Sequence, residues 1–196
     1  SEIPTGAFNS DYKLTSIELP TKLTSIGASA FLNCESLESI DIPDTVTEIG
    51  DRAFANSGLR MLVIPSGVTA VNYDLCNENH NLNEVVFSPN TKSVEMTAFS
   101  GCSNLKNIDL PDGLEKIGKM AFLSSVNARI YIPQSVTDIE KKAFNDNAVI
   151  YGYANSAAEE FAKNNDIKFV AVNSHDEYLS LLTYSDTDNS SYKSAI

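Results

Sequence analysis

Two histidines, His80 and His175, and three cysteines, Cys34, Cys76 and Cys102, are the side chains best suited to general-base, nucleophilic or soft-metal work. A nucleophile needs a base within hydrogen-bond reach, and that base needs a third group to orient it. The sequence assembles no such set. His80 lies in the polar stretch Asn77-Glu78-Asn79-His80-Asn81, which reads as a solvated corner, and His175 sits in a different region near the C-terminus. No H-E-x-x-H, C-x-x-C or phosphate-cradling glycine loop is present. Asp186-Thr187-Asp188-Asn189-Ser190 imitates the start of a calcium loop, but Ser191 stands where the loop's glycine belongs and no glutamate closes it. It reads as a polar tail. The expectation is therefore a protein with no catalytic residues, no bound metal and no cofactor, whose chemistry is that of recognition.

Charge narrows the partners. The net charge is −12, and the 14 basic residues are scattered, with only Lys141-Lys142 adjacent. Nucleic-acid binding needs clustered Lys and Arg on one surface, so it is not expected. No apolar run approaches the roughly 18 residues that cross a bilayer, so no membrane insertion of this segment is expected either. The chain is read as a monomer.

The elements that must position any binding residues follow from a repeat. Ala-Phe recurs at Ala7-Phe8, Ala30-Phe31, Ala53-Phe54, Ala98-Phe99, Ala121-Phe122 and Ala143-Phe144, and Leu75-Cys76 fills the one gap. Successive steps are 23, 23, 22, 23, 23 and 22 residues. A fixed period in this range marks a solenoid of stacked coils that share one interior. Within a repeat, Leu37, Ile40 and Ile42 alternate with polar residues as a half-buried strand does, and Pro43 ends it. Val46 and Ile49 then point inward after a turn. Gly50, recurring as Gly27 and Gly118, reads as a corner of unusual backbone angle, and Ala-Phe closes the coil through a short helical or 3₁₀ turn.

The register also settles the cysteines. Cys34 and Cys102 share a slot but lie three coils apart, roughly 14 Å at about 4.8 Å per strand, whereas a disulfide needs Cα atoms within about 7 Å. Cys76 replaces a core Phe. All three are expected to be free, buried thiols.

The ends differ from the middle. Ile3 aligns with Ile26, so the chain opens halfway through a coil, as a segment cut from a longer protein would. At the other end, a strand over 148–151, a helix over 156–164 capped by Asn155 or Ser156, and a strand over 167–172 form a terminal cap. The organisation read from this is repeats over 1–147, cap over 148–172, and a polar tail or linker over 173–196. In that tail Tyr178-Leu179-Ser180-Leu181-Leu182 is an apolar island that packs back on the cap, leads into another domain, or stays mobile. Asn189-Ser190-Ser191 fits the glycosylation rule for a eukaryotic secretory pathway.

The pattern A-F-x-x-C-x-x-L-x-x-I-x-I-P-x-x-V-T-x-I-G, whole in residues 30–50, resembles the BspA-like subclass of leucine-rich repeats. The ending from Ile150-Tyr151-Gly152-Tyr153 through Phe161-Ala162 to Ile167-Lys168-Phe169 looks like the cap of many bacterial members. The resemblance spans seven copies. It implies a right-handed leucine-rich-repeat coil of about seven 22–23-residue repeats with parallel strands and one C-terminal capping helix. It also implies a secreted or surface-attached protein of a host-associated microbe, of a family that includes adhesins and has no shared catalytic motif.

Outward strand positions of stacked coils line up as a face. The candidates are Ser16 and Glu18, Ser39 and Asp41, Met61 and Val63, Glu84 and Val86, Asn107 and Asp109, and Arg129 and Tyr131. Exposed apolar residues rimmed by charge mark partner sites, and Tyr and Arg are enriched at hot spots. The bland alternative for Met61, Val63 and Val86 is ordinary strand propensity. The leading expectation is an extracellular or cell-surface module that binds a host or cell-surface protein or glycan on this face. A structural spacer in a larger surface protein is the alternative, and a hydrolytic site among the loops around His80 is a third.

Overall fold

The computed structural model describes residues 1–185, with side chains through Thr183. The chain winds as a parallel-strand solenoid of about eight turns, one more than the Ala-Phe count, because the cap contributes a turn of its own. From residue 61 to residue 139 each coil carries two strand segments. The I-x-I segments give β4 (Met61–Val63) paired to β6 (Glu84–Val86). They continue as a four-stranded sheet of β8 (Asn107–Asp109), β10 (Arg129–Ile132), β12 (Val149–Gly152) and β13 (Lys168–Ala171). Residues 15–20 and 38–43, which hold Glu18 and Asp41, follow the same course without regular strand.

The V-T-x-I-G segments form a second ladder, where the sequence reading placed only an inward Val/Ile pair. It comprises β1 (Glu2–Ile3), β2 (Ser25–Ile26) and β3 (Glu48–Ile49), then β5 (Ala70–Val71), β7 (Ser93–Val94), β9 (Lys116–Ile117) and β11 (Asp138–Ile139). Every pairing is parallel and matches equivalent residues: Ile3, Ile26 and Ile49 in one sheet, Val71, Val94, Ile117 and Ile139 in another. A two-residue strand shows little alternation in sequence, which is why this ladder was not legible as one.

Apolar residues from both ladders and the corners fill a single interior. Its axis is a column of stacked rings: Phe8–Phe31 at 5.2 Å, Phe31–Phe54 at 5.5 Å, Phe99–Phe122 at 5.4 Å and Phe122–Phe144 at 5.7 Å between centroids. Where Cys76 interrupts the column, Phe87 replaces the usual aliphatic strand residue and meets Phe99 edge-on at 5.8 Å. The three thiols are free and buried. Burial pushes the Cys102 thiol up to about 12.

The Ala-Phe corner is a hydrogen-bonded turn, not a helix or 3₁₀ segment. It is bonded to the next coil, with Phe31 N donating to Ala53 O and Phe99 N to Ala121 O, each at 2.8 Å. Left-handed residues bracket it, such as Ser29 and Asn33 (φ 55° and 60°) or Arg52 and Asn56 (φ 58° and 48°). Gly50 is not among the left-handed residues; a Cβ there would collide with the backbone of Ala28. Its glycine serves close approach between coils. Asn72, in the equivalent place, uses the same proximity by donating from Nδ2 to Ile49 O at 2.7 Å.

Helix α1 (Ala157–Asn164) closes the stack, burying Ala158, Phe161 and Ala162, with the Phe161 ring edge-on to Phe144 at 5.8 Å. Ser156 is its N-cap. The expectation of a single helix is corrected by α2 (His175–Ser185), which lies within the stretch read as a tail. Of the alternatives left open for the apolar island, packing back on the body holds. The calcium-like stretch and the glycosylation sequence lie outside the described residues.

Candidate binding face

The outward side of the I-x-I ladder carries two columns. In register, Met61 faces Glu84 and Val63 faces Val86. Farther along, Asn107, Arg129, Val149 and Lys168 form one column and Asp109, Tyr131, Tyr151 and Val170 the other. Because side chains alternate across a strand, Leu62, Val85, Ile108 and Ile130 between them point into the core. Met61, Val63 and Val86 are 44%, 46% and 42% exposed, as the sequence reading places them, and Glu18 and Asp41 are exposed too. Glu84, Asn107 and Arg129 are half-buried and Asp109 is exposed.

Tyr131 departs from that reading: it is 1% exposed, and α2 covers it. The Tyr178 ring stacks on Tyr131 at 5.2 Å and meets Tyr151 at 5.2 Å. His175 lies 4.7 Å from the Tyr131 ring centroid and sets Nε2 2.8 and 2.9 Å from the two carboxylate oxygens of Asp109. Tyr131, Val172 and Tyr178, with Tyr151, Tyr153 and Leu182 against them, form an apolar cluster separate from the main interior.

The signal for α2 is in the sequence. Ser174 Oγ accepts from Glu177 N at 3.1 Å, and Glu177 Oε2 reaches back to Asn173 N at 2.7 Å. α1 repeats the arrangement with Ser156, Glu159 and Asn155. Asn-Ser-x-x-Glu thus opens both helices, a variant of the capping box in which the Glu takes the N–H of the Asn before the Ser cap. His175, Tyr178 and Leu182 follow at i, i+3 and i+7, one face of a helix.

The covered end is acidic. The Asp109 side chain keeps 46% of its surface, and the partial desolvation it undergoes beneath α2 raises its carboxyl above the ordinary value, against the opposing pull of His175. Tyr131 OH donates to Asp112 Oδ1 at 3.4 Å, and burial pushes the phenol up. A hollow of about 150 Å³ sits between these groups, walled by Phe87, Pro111, Asp112 and His175. A larger one, about 580 Å³, lies apart from this face, between β11 and α1, beside Lys141, Lys142 and Phe161.

His80 is at an exposed corner, with Nδ1 2.8 Å from Gly101 O and Nε2 3.4 Å from Glu78 Oε2. Among the described residues, no group of three or more His, Cys, Asp or Glu is placed to hold a metal ion.

Two overlapping spans, residues 1–95 and 72–188, match the family model of the BspA type leucine rich repeat region, in six copies. The chain belongs to the BspA-type leucine-rich repeat family. A solved leucine-rich repeat protein from Bacteroides ovatus is similar in fold, with a TM-score of 0.50 and 22% identity over 87% of this chain. The chain spans 57% of that protein's length. A leucine rich cell surface protein from Faecalibacterium prausnitzii matches over 91% of this chain and 85% of its own, at 16% identity and a TM-score of 0.40. The pneumococcal vaccine antigen PcpA matches over 88% and 67%, at 13% identity and a TM-score of 0.42. No curated protein matches the chain by sequence.

Proposed function

We propose that this BspA-type repeat domain is a non-catalytic recognition module of an extracellular or cell-surface protein, and that it takes a protein or glycan on the I-x-I face. The observation that carries the reading is the group Met61, Val63 and Val86, three exposed apolar side chains on neighbouring coils, with Val63 and Val86 in register. A soluble protein keeps such residues apart unless something covers them. The rim of Glu84, Asp109 and Asp112 supplies hydrogen-bond acceptors and favours a partner with basic groups. The repeats, the cap and the segment after it act as one unit in this reading, with boundaries near 147 and 172.

The test is a binding screen of the domain against glycan and surface-protein arrays, repeated with Met61→Asp and Val86→Asp. Loss of at least tenfold in affinity supports the face, in line with the more than 1 kcal/mol carried by hot-spot residues. Unchanged affinity in both variants removes the face from consideration.

A spacer role is favoured by one observation. On the second ladder Lys116 bridges Glu95 at 3.4 Å and Glu140 at 3.2 Å, tying three coils together on a surface of polar residues. A spacer gives no specific partner in the same screen.

A further inference from the structure

The strand face already holds a ligand-like object, and it is part of the chain. α2 rests on the aromatic end of the outward column through Tyr178 and His175, with Leu182 packed against the same cluster. Leu179 and Leu181 on the same helix are 40% and 37% exposed. The cluster it forms is separate from the Phe column, so the solenoid's interior does not depend on it. An 11-residue helix is marginal on its own in water, and its stability therefore comes from this seat.

The seat has a definite chemistry. An aromatic ring lies on Tyr131 and Tyr151, and three residues earlier a nitrogen base engages the Asp109 carboxylate. Beyond Asp109 the outward column passes to Val86 and Val63 on the neighbouring two-stranded sheet, and both are exposed among the described residues. A helix of this kind would complete the apolar face if it were longer or shifted by a coil. The chain's charge of −12 and the nearby Asp112 favour a basic visitor.

Resting on the reading of this face as a binding surface, we infer that its partner is a polypeptide presenting a short helix with a basic residue followed three positions later by an aromatic one. α2 holds that seat in cis until the partner displaces it. Tethering gives α2 an effective concentration in the millimolar range, so the partner gains apparent affinity whenever α2 lets go.

The experiment uses the chain of residues 1–196 and three labelled probe peptides: residues 173–185 unchanged, the same with His175→Arg, and the same with His175→Glu. Hydrogen exchange on the unsubstituted chain comes first. The inference requires α2 amides to exchange through a local opening while the Phe54 and Phe99 coils stay protected; exchange of α2 only with the whole stack overturns it. Next, the peptides are titrated against the chain and against Tyr178→Ala. The expected result is binding at least tenfold tighter to Tyr178→Ala, weakened at least tenfold by adding Asp109→Asn, and at least tenfold weaker for the Glu peptide than for the Arg peptide. Equal binding of all three peptides, or none to Tyr178→Ala with its core protection intact, overturns it. These readouts do not involve Met61, so this inference and the wider face reading fail separately.

Discussion

The rings of Tyr178 and Tyr131 stack at 5.2 Å with 23° between their planes, and they belong to a helix and a strand that no repeat pattern relates. That contact turns a residue on the outward side of a strand into a buried one. It divides the face into an aromatic end that the chain covers itself and an apolar middle that is exposed among the described residues.

Tyr178→Ala should therefore loosen α2 without unfolding the solenoid. Emptying a buried aromatic site costs about 3–5 kcal/mol, and here the loss falls on the local opening of 175–183. Hydrogen exchange by peptide mass should show lost protection there and unchanged protection around Phe54. A matching drop in the midpoint of global unfolding would contradict it.

Substituting a ring inside the main column has the opposite distribution. Phe99→Ala should lower global stability by about 3–5 kcal/mol, because Phe99 touches both Phe122 and Phe87. The break at Cys76 predicts a coupling. Cys76→Phe alone should overpack the gap and cost about 1–3 kcal/mol, and Phe87→Ile should recover much of that loss. Denaturant unfolding of the two single variants and the double one measures the interaction; simple additivity would show that the two sites do not share space.

Gly50→Ala should destabilise by about 2–3 kcal/mol, more than the usual glycine-to-alanine change in an open turn, because the new methyl meets the backbone of the preceding coil. Asn72→Ala, where the chain already accommodates a Cβ, loses only a hydrogen bond of about 1 kcal/mol. Thermal unfolding should rank the two in that order.

Thiol reactivity reports on the interior. Cys102 is raised from 9.0 to about 12 by burial, and burial raises Cys76 as well. A folded-state value above the unfolded one means the neutral thiol's contribution is fully present below pH 9 and is lost as pH climbs toward 12. At pH 8 the native protein should not react with an aromatic disulfide reagent, whereas guanidinium-unfolded protein should release three equivalents. The part of the alkaline stability loss due to this group should vanish in Cys102→Ala. Rapid labelling of native protein would place the thiols at the surface.

Much of the molecule follows from periodicity. The Ala-Phe spacing places Phe31, Phe54, Phe99 and Phe122 in one column, the I-x-I alternation places Leu62 and Val85 inside and Met61 and Val86 outside, and the helix capped by Ser156 sits where the sequence reading puts it. The second ladder was missed because its strands are two residues long, too short for alternation to stand out. The role of Gly50 was missed because a close backbone approach and a left-handed turn ask for the same residue.

What the amino-acid order determined by itself is the stack: each coil touches only its neighbours, so a fixed period along the chain becomes a fixed place in space. What the tertiary structure alone decided is the state of the face. His175 meets Asp109 across 66 residues, and Tyr178 meets Tyr131 outside any repeat register. Such contacts depend on where a helix comes to rest on a finished surface, and no spacing in the sequence encodes that.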